Sequence, residues 1–127
     1  MRNLFLGLLL IISTTIIALP LNSNIVNALK TGNATELSKF MEASIDLSIP
    51  ENEGVFSKTQ STIILKTFFF KNKPSDFKVL NSGDAKNNTH YAIGNLETVK
   101  GQFRVYILYK EINGKSTIVE LRIETDE

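Results

Sequence analysis

The chain has 127 residues, with 14 Lys and Arg, 13 Asp and Glu, one His and neither Cys nor Trp. This length fits one domain rather than two. The lack of Cys excludes disulfides, zinc–thiolate sites and lipid-modified cysteines, and a single His excludes a multi-histidine metal site, so we expect no metal and no cofactor. A formal net charge of +1 argues against a nucleic-acid partner, which requires a strongly basic surface.

Residues 1–20 predict a secretory signal segment. Arg2 supplies a positive head, an apolar run follows it, and Ala18 is the expected cleavage point, although Ile16 is larger than cleavage usually prefers. The alternative is an uncleaved anchor, because about 17 apolar residues is the lower limit for crossing a bilayer. We therefore expect an exported protein of the periplasm or cell envelope, not a lipoprotein, with membrane contact only if this segment is retained. Loss of Arg2 leaves a neutral domain, residues 21–127, for which we expect no field that steers a charged partner.

The first elements of the domain are predicted to be short. Asn22 to Lys30 and Ala34 to Glu42 have apolar residues at helical spacing, and Gly32 between them suits a left-handed cap. Apolar residues then alternate with polar ones from Ile45 to Ile49, which predicts a half-buried strand. Pro50 to Gly54 has the composition of a turn.

The longest predicted helix begins at a capping box formed by Ser57 and Gln60 and ends near Pro74. It carries three successive phenylalanines, Phe68 to Phe70, whose side chains point around most of the helix circumference. At least one of them must therefore point away from the core. Packing between sheet and loops is the favoured role for these aromatics, and a lipid-binding cavity is the alternative.

Four strands are predicted after Pro74, as Asp76 to Ser82, His90 to Val99, Gln102 to Glu111 and Lys115 to Glu124. Helices that precede an antiparallel meander tend to pack on one of its faces. The predicted fold class is therefore α+β, with N-terminal helices on a four-stranded antiparallel meander plus one short strand, in a single domain over residues 21–127.

The register of the last hairpin determines which side chains face the core. A two-residue turn at Asn113-Gly114 would bring charged side chains into the apolar stripe, whereas a three-residue loop that includes Ile112 pairs Val105 with Leu121. The apolar pattern favours the three-residue loop. Odd-numbered side chains from Phe103 through Ile123 are then expected to face the helices together.

The candidate binding residues are Glu97, Arg104, Tyr106 and Arg122 on the opposite, outer face. A two-residue turn at Lys100-Gly101 pairs Glu97 with Arg104 and places Arg104 beside Arg122 in a polar cluster. A three-residue loop would instead turn Glu97 into the core, where a buried carboxylate is a candidate acid or base. We favour the first register, since it gives Glu97 a partner and separates the two arginines.

Four segments, GNATEL, FSKTQ, YAIGNLET and GQFRVYILYK, resemble those of an exported bacterial family known as domain of unknown function number forty-seven eighty-three. The resemblance covers nearly the whole mature chain. It implies a cone-shaped, cystatin-like or nuclear-transport-factor-like fold, in which a curved sheet wraps a long helix. It implies no activity, because none is assigned to the family and the superfamily includes isomerases, dehydratases and binding modules.

Two non-enzymatic hypotheses follow. The favoured one is an envelope module that binds a protein partner or a small apolar ligand. The other is a structural or assembly subunit, such as a homodimer, that uses an outer-face apolar patch formed by Ile93, Leu108 and Ile118.

The enzymatic hypothesis is an isomerase or dehydratase with Glu97 as base and Arg104 or Tyr106 as polariser. It requires Glu97 to face inward. The sequence contains no nucleophile–base pair, phosphate loop or metal-ligand spacing, so we assign no catalytic residue.

Overall fold

The computed structural model describes residues 7, 10–11 and 20–126, so the expected signal segment lies almost wholly outside the described residues. In the part that is described, no helix combines the length and the apolar character needed to cross a bilayer. The elements, in chain order, are α1 (Ser23–Thr31), α2 (Ala34–Ser38), β1 (Met41–Ile49), β2 (Asn52–Ser57), α3 (Lys58–Lys71), β3 (Pro74–Asp84), β4 (Thr89–Thr98), β5 (Gly101–Ile112) and β6 (Lys115–Thr125).

These strands form one six-stranded sheet in the order β2-β1-β6-β5-β4-β3. Strands β1 and β6 run parallel and every other neighbouring pair is antiparallel. The helices cover one face: α1 packs on β3, α3 packs on β1 and β2, and α2 contacts both helices. This arrangement confirms the predicted α+β class, and we call the helix-covered face inner and the opposite face outer.

The N-terminal boundaries differ in part from those predicted. Helix α1 ends at Gly32 with φ of 67°, which confirms the left-handed cap. Helix α2 ends at Ser38 rather than Glu42, because the Phe40 carbonyl accepts a hydrogen bond of 2.6 Å from the Ile118 N–H and strand β1 begins at the next residue.

Strand β2 was not predicted, because Asn52 to Gly54 has turn composition. The turn occupies only Pro50 and Glu51, and β2 pairs along its whole length with β1. The sheet therefore has six strands rather than the five expected.

Helix α3 begins as the sequence predicts. The Ser57 hydroxyl accepts from the Gln60 N–H at 3.1 Å, and the Gln60 side chain accepts from the Ser57 N–H at 3.3 Å. Phe68 and Phe69 are buried, whereas Phe70 is 89% exposed. The expectation that one aromatic points away from the core is confirmed.

The predicted three-residue loop of the last hairpin is wrong. Asn113 and Gly114 have φ of 53° and 75°, so they form a two-residue turn of the kind that needs two left-handed residues, and Ile112 pairs with Lys115. The apolar stripe survives because the register shifts further along: Tyr109 pairs with Ile118, but Leu108 pairs with Glu120.

Val119 is the additional residue in this β-bulge. Beyond the bulge, Val105 pairs with Ile123 rather than with Leu121, although Val105 and Leu121 both face inward as expected. On the turn side of the bulge the even-numbered residues of β6 face inward, so the expectation that odd-numbered side chains do so is wrong for Thr117 and Val119. Ile118 is therefore fully buried, which removes it from the predicted outer patch.

Gly94 provides a test of the packing between β3 and β4. A Cβ atom at this position would lie 2.5 Å from Phe77 Cζ and 2.6 Å from the Lys78 carbonyl oxygen. We expect Gly94→Ala to lower the free energy of unfolding by about 2 kcal/mol or more, since neither neighbour can move without disturbing the strand pair. Urea unfolding measures the change.

The matched control is Gly83→Ala on β3. A Cβ there also meets an aromatic ring, at 2.8 Å from the Tyr91 hydroxyl, but the Tyr91 side chain is half-buried and can swing aside. We expect this variant to lose less than about 1 kcal/mol. Equal losses for the two glycines would contradict the assigned close approach at Gly94.

Candidate functional site

A cleft of about 330 Å³ lies between the C-terminal half of α3 and the ends of β1, β5 and β6. This volume is at the lower end of the range of roughly 300–1,000 Å³ typical of small-molecule sites. Its lining residues are Ile49, Pro50, Glu51, Asn52, Ile63, Ile64, Thr67, Phe68, Lys71, Asn72, Phe103 and Thr125. Most of the wall is apolar, so the cleft suits an apolar ligand.

Two aromatic rings give the cleft a rigid wall. Phe68 and Phe103 meet edge to face, with ring centroids 5.2 Å apart and an interplanar angle of 79°. The Phe68 carbonyl accepts hydrogen bonds from the Asn72 backbone N–H at 2.8 Å and from its side-chain amide at 3.0 Å. The end of α3 is therefore fixed where it borders the cleft.

The charged groups that line the cleft form a weak pair. Lys71 Nζ lies 3.5 Å from Glu51 Oε2, and the two side chains are 56% and 73% exposed. Exposed pairs of this kind contribute about 0–1 kcal/mol. A polar group on a ligand can therefore compete for Lys71 at little cost.

The sequence pointed to this cleft only through Phe68. The predicted alternative of a cavity near the three phenylalanines places Phe68 correctly, but Phe70 lies outside it. Sequence reasoning missed Glu51 and Lys71, because their proximity depends on the β1–β2 hairpin, whose second strand was not predicted.

The four predicted binding residues all lie on the outer face, but the pairs that they form differ from those predicted. Tyr106 pairs with Arg122 across β5 and β6, and the Arg122 guanidinium carbon lies 6.0 Å from the centre of the Tyr106 ring. Arg104 pairs instead with Asn95 and Glu124, so the expected position of Arg104 beside Arg122 is wrong.

Glu97 pairs with none of these residues. It is exposed and pairs with Gln102, whose side-chain amide lies 3.4 Å from Glu97 Oε1. The predicted pairing with Arg104 is wrong because the turn is Val99-Lys100, one residue earlier than expected. The Thr98 hydroxyl fixes this turn, since it accepts from the Lys100 N–H at 3.1 Å and donates to the Gly101 carbonyl at 2.8 Å.

The position of Glu97 also bears on the enzymatic hypothesis. A general base in the core requires Glu97 to face inward, and its side chain faces outward into solvent. The isomerase or dehydratase hypothesis required an inward-facing Glu97, and the structure does not meet this requirement.

Each outer-face arginine has its own acidic neighbour. Arg122 lies 2.9 Å from Glu120 and 3.8 Å from Glu124, and Arg104 lies 3.5 Å from Asp126. These pairs neutralise the charge of the outer face locally. A charged ligand would have to displace them.

A second polar group lies at the opposite end of the strands. His90 Nδ1 is 2.8 Å from Asp84 Oδ1, and the His90 ring lies 5.6 Å from the ring of Tyr109. Tyr109 is only 2% exposed. Burial raises the pKa of the Tyr109 phenol, and the carboxylates of Glu111 and Asp84 raise it further.

This shift predicts a loss of stability in alkali. The unfolded chain ionises Tyr109 near its ordinary pKa of 10.0, whereas the folded protein retains the proton. The stabilising contribution is therefore complete below about pH 10 and is lost as the pH rises from there towards the folded pKa. We expect Tyr109→Phe to have a shallower decline in the free energy of unfolding above pH 10, measured by urea unfolding. Parallel declines in both proteins would contradict the assignment.

Comparisons with known proteins agree on family and fold. A family model described as a domain of unknown function, DUF4783, matches residues 22–124. The chain is similar to a crystal structure of a DUF4783 family protein from Bacteroides ovatus, with 30% identity, a TM-score of 0.76 and coverage of 84% of this chain and 97% of that chain. It is also similar to a crystal structure of a DUF4783 family protein from Bacteroides fragilis, with 29% identity, a TM-score of 0.75 and coverage of 84% of this chain and 100% of that chain.

A more distant likeness shows the fold alone. An NTF2-like protein of unknown function from Cytophaga hutchinsonii shares 16% identity at a TM-score of 0.54, with 82% of this chain and 85% of that chain covered. A search of curated proteins gives no match. The sequence resemblance is thus confirmed: the chain belongs to the DUF4783 family and has an NTF2-like α+β fold.

Proposed function

We propose that this protein is an exported, non-enzymatic binding module of the cell envelope that holds a small apolar ligand in the cleft beside α3. The observation that carries the proposal is the distribution of the lining residues. Ile64, Phe68 and Phe103 form an apolar wall, while Lys71, which also lines the cleft, is held by a weak, exposed ion pair. Such a site favours a ligand with an apolar body and one polar end.

Decanol and decanoate are suitable probes, because they share an apolar chain and differ in the charge of the head. We expect both to bind with a stoichiometry of one by isothermal titration calorimetry. Thr67→Trp places a large side chain on the lining of the cleft at an exposed helical position, so we expect it to weaken both ligands at least tenfold, about 1.4 kcal/mol.

Two further variants complete the test. Thr59→Trp makes the same substitution at an exposed position of α3 that does not line the cleft, and we expect it to bind like the wild type. Lys71→Ala removes the cation, so we expect it to weaken decanoate about fivefold and leave decanol unchanged. Equal effects of the two tryptophans, or no binding of either probe, would overturn the proposal.

The outer face supports a second candidate function, self-assembly. The rings of Tyr91 and Tyr106 stack with centroids 6.5 Å apart at 15°, and they adjoin Ile93 and Leu108 in the strand register. Charged pairs of both signs flank these four half-buried residues. A patch with an apolar centre and mixed charges at its rim suits a two-fold interface with a second copy.

Leu108→Lys tests this candidate, because it places a charge at the centre of the patch. If the protein is a dimer, we expect this variant to sediment as a monomer in analytical ultracentrifugation. The control is Val99→Lys, which adds the same charge at a residue that is 70% exposed and lies in the β4–β5 turn. A wild-type protein that remains monomeric at millimolar concentration excludes the self-assembly function.

A further inference from the structure

The most exposed aromatic side chain of the described domain lies among lysines. Phe70 is 89% exposed near the end of α3, and Lys66 and Lys73 flank it around a shallow depression beside Gly32. The α3–β3 connection joins this group to the β4–β5 turn, because the Val99 N–H donates to the Lys73 carbonyl at 3.0 Å. We call Lys66, Phe70, Lys73, Val99 and Lys100 the basic end surface.

Positive charges outnumber negative ones at this surface. The carboxylates nearest to its three lysines in the chain are Asp76, which already pairs with Lys30 and Lys78, and Glu97. Within the ranges that the structure describes, Lys66, Lys73 and Lys100 form no ion pair. These ammonium groups are free to meet negative charges supplied from outside.

The apolar members of the surface are largely exposed to solvent, although Phe70 also borders the shallow depression. Phe70 and Val99 are 89% and 70% exposed, so most of each apolar side chain is available for contact. A groove would suit a peptide, whereas protruding apolar side chains among lysines are typical of segments that lie in the interface of a bilayer. Lysines near such a surface are attracted to anionic headgroups.

We propose that the basic end surface docks the domain on a bilayer rich in anionic lipid, with Phe70 inserted among the headgroups. This surface is independent of the cleft ligand, because Phe70, Lys66 and Lys73 lie outside the cleft lining. Its failure would leave the proposed ligand binding intact.

The N-terminal connection does not line the basic end surface. Pro20 and Leu21 lie beside Gly114 and Ser116 at the β5–β6 turn, whereas the basic end surface lies at the β4–β5 turn. Helix α1 leads from this connection to Gly32, which borders the same depression as Phe70, and its nine residues span roughly 14 Å. Docking through the basic end surface is thus a separate contact from any made by residues 1–20.

The test uses residues 21–127, which hold every described helix and strand, since residues 1–20 would bind any bilayer through their own apolar run. Vesicles of phosphatidylglycerol and phosphatidylethanolamine are compared with vesicles of phosphatidylcholine alone, by flotation at low and high salt. We expect at least tenfold stronger binding to the anionic vesicles, weakened by salt.

Charge removal distinguishes this surface from a general attraction. The triple variant Lys66→Ala, Lys73→Ala, Lys100→Ala should lose about a hundredfold in affinity, at about fivefold for each lysine. The matched control is Lys58→Ala, Lys86→Ala, Lys115→Ala, which removes the same charge at exposed lysines elsewhere. An equal loss in the control would overturn the assignment of the surface.

Insertion is tested by fluorescence, because the chain contains no tryptophan. We expect Phe70→Trp to shift its emission to the blue on anionic vesicles. Val55→Trp, at a residue 74% exposed on β2, should not shift. An absence of binding to anionic vesicles would overturn the bilayer proposal. Tighter binding to polyglutamate than to vesicles, together with an unshifted emission of the Phe70→Trp variant, would also overturn it and would indicate an acidic protein partner.

Discussion

The β-bulge at Val119 is the constraint on which the middle of the sheet depends. The Asn113-Gly114 turn sets Glu111 opposite Ser116, and strict alternation from there would bring Glu120 to the inner face under the helices. One extra residue reverses the parity of β6, so that Leu121 and Ile123 join the core while Glu120 stays outside. The bulge therefore accommodates two requirements at once, a tight turn and an apolar inner stripe. It also sets Arg122 opposite Tyr106.

Features fixed by neighbours in the chain were predictable. The Ser57–Gln60 capping box and the Gly32 cap need only local geometry, and both form as expected. Strand β2 was missed because its pairing with β1, rather than its composition, makes Asn52 to Gly54 extended. The β4–β5 register was missed because one hydroxyl, on Thr98, moves the turn by one residue. The bulge has no glycine to mark it, so the apolar pattern favoured a wrong loop.

Helix α3 illustrates the same limit for the candidate site. Its three phenylalanines guaranteed that one ring would point outward, because successive side chains are about 100° apart on a helix. Which ring does so depends on where the sheet lies. With β1 and β2 under α3, Phe68 borders the cleft and Phe69 enters the core, while Phe70 remains in solvent. The cleft and the basic end surface thus both follow from the orientation of one helix. The predicted binding residues Glu97, Arg104 and Arg122 lie instead on the outer face of the sheet.

The expectation that the neutral domain has no field to steer a partner rests on its total charge, whereas the proposed bilayer docking depends on the charge of one surface. Charges more than about 8–10 Å apart are largely screened from one another at physiological salt, so a surface responds to its own charges rather than to the total. The outer-face arginines are compensated by Glu120, Glu124 and Asp126 at contact distance. Lys66, Lys73 and Lys100 form no ion pair among the described residues, and they outnumber the neighbouring carboxylate of Glu97. A domain with zero net charge can therefore present one basic surface, and only the folded arrangement identifies it.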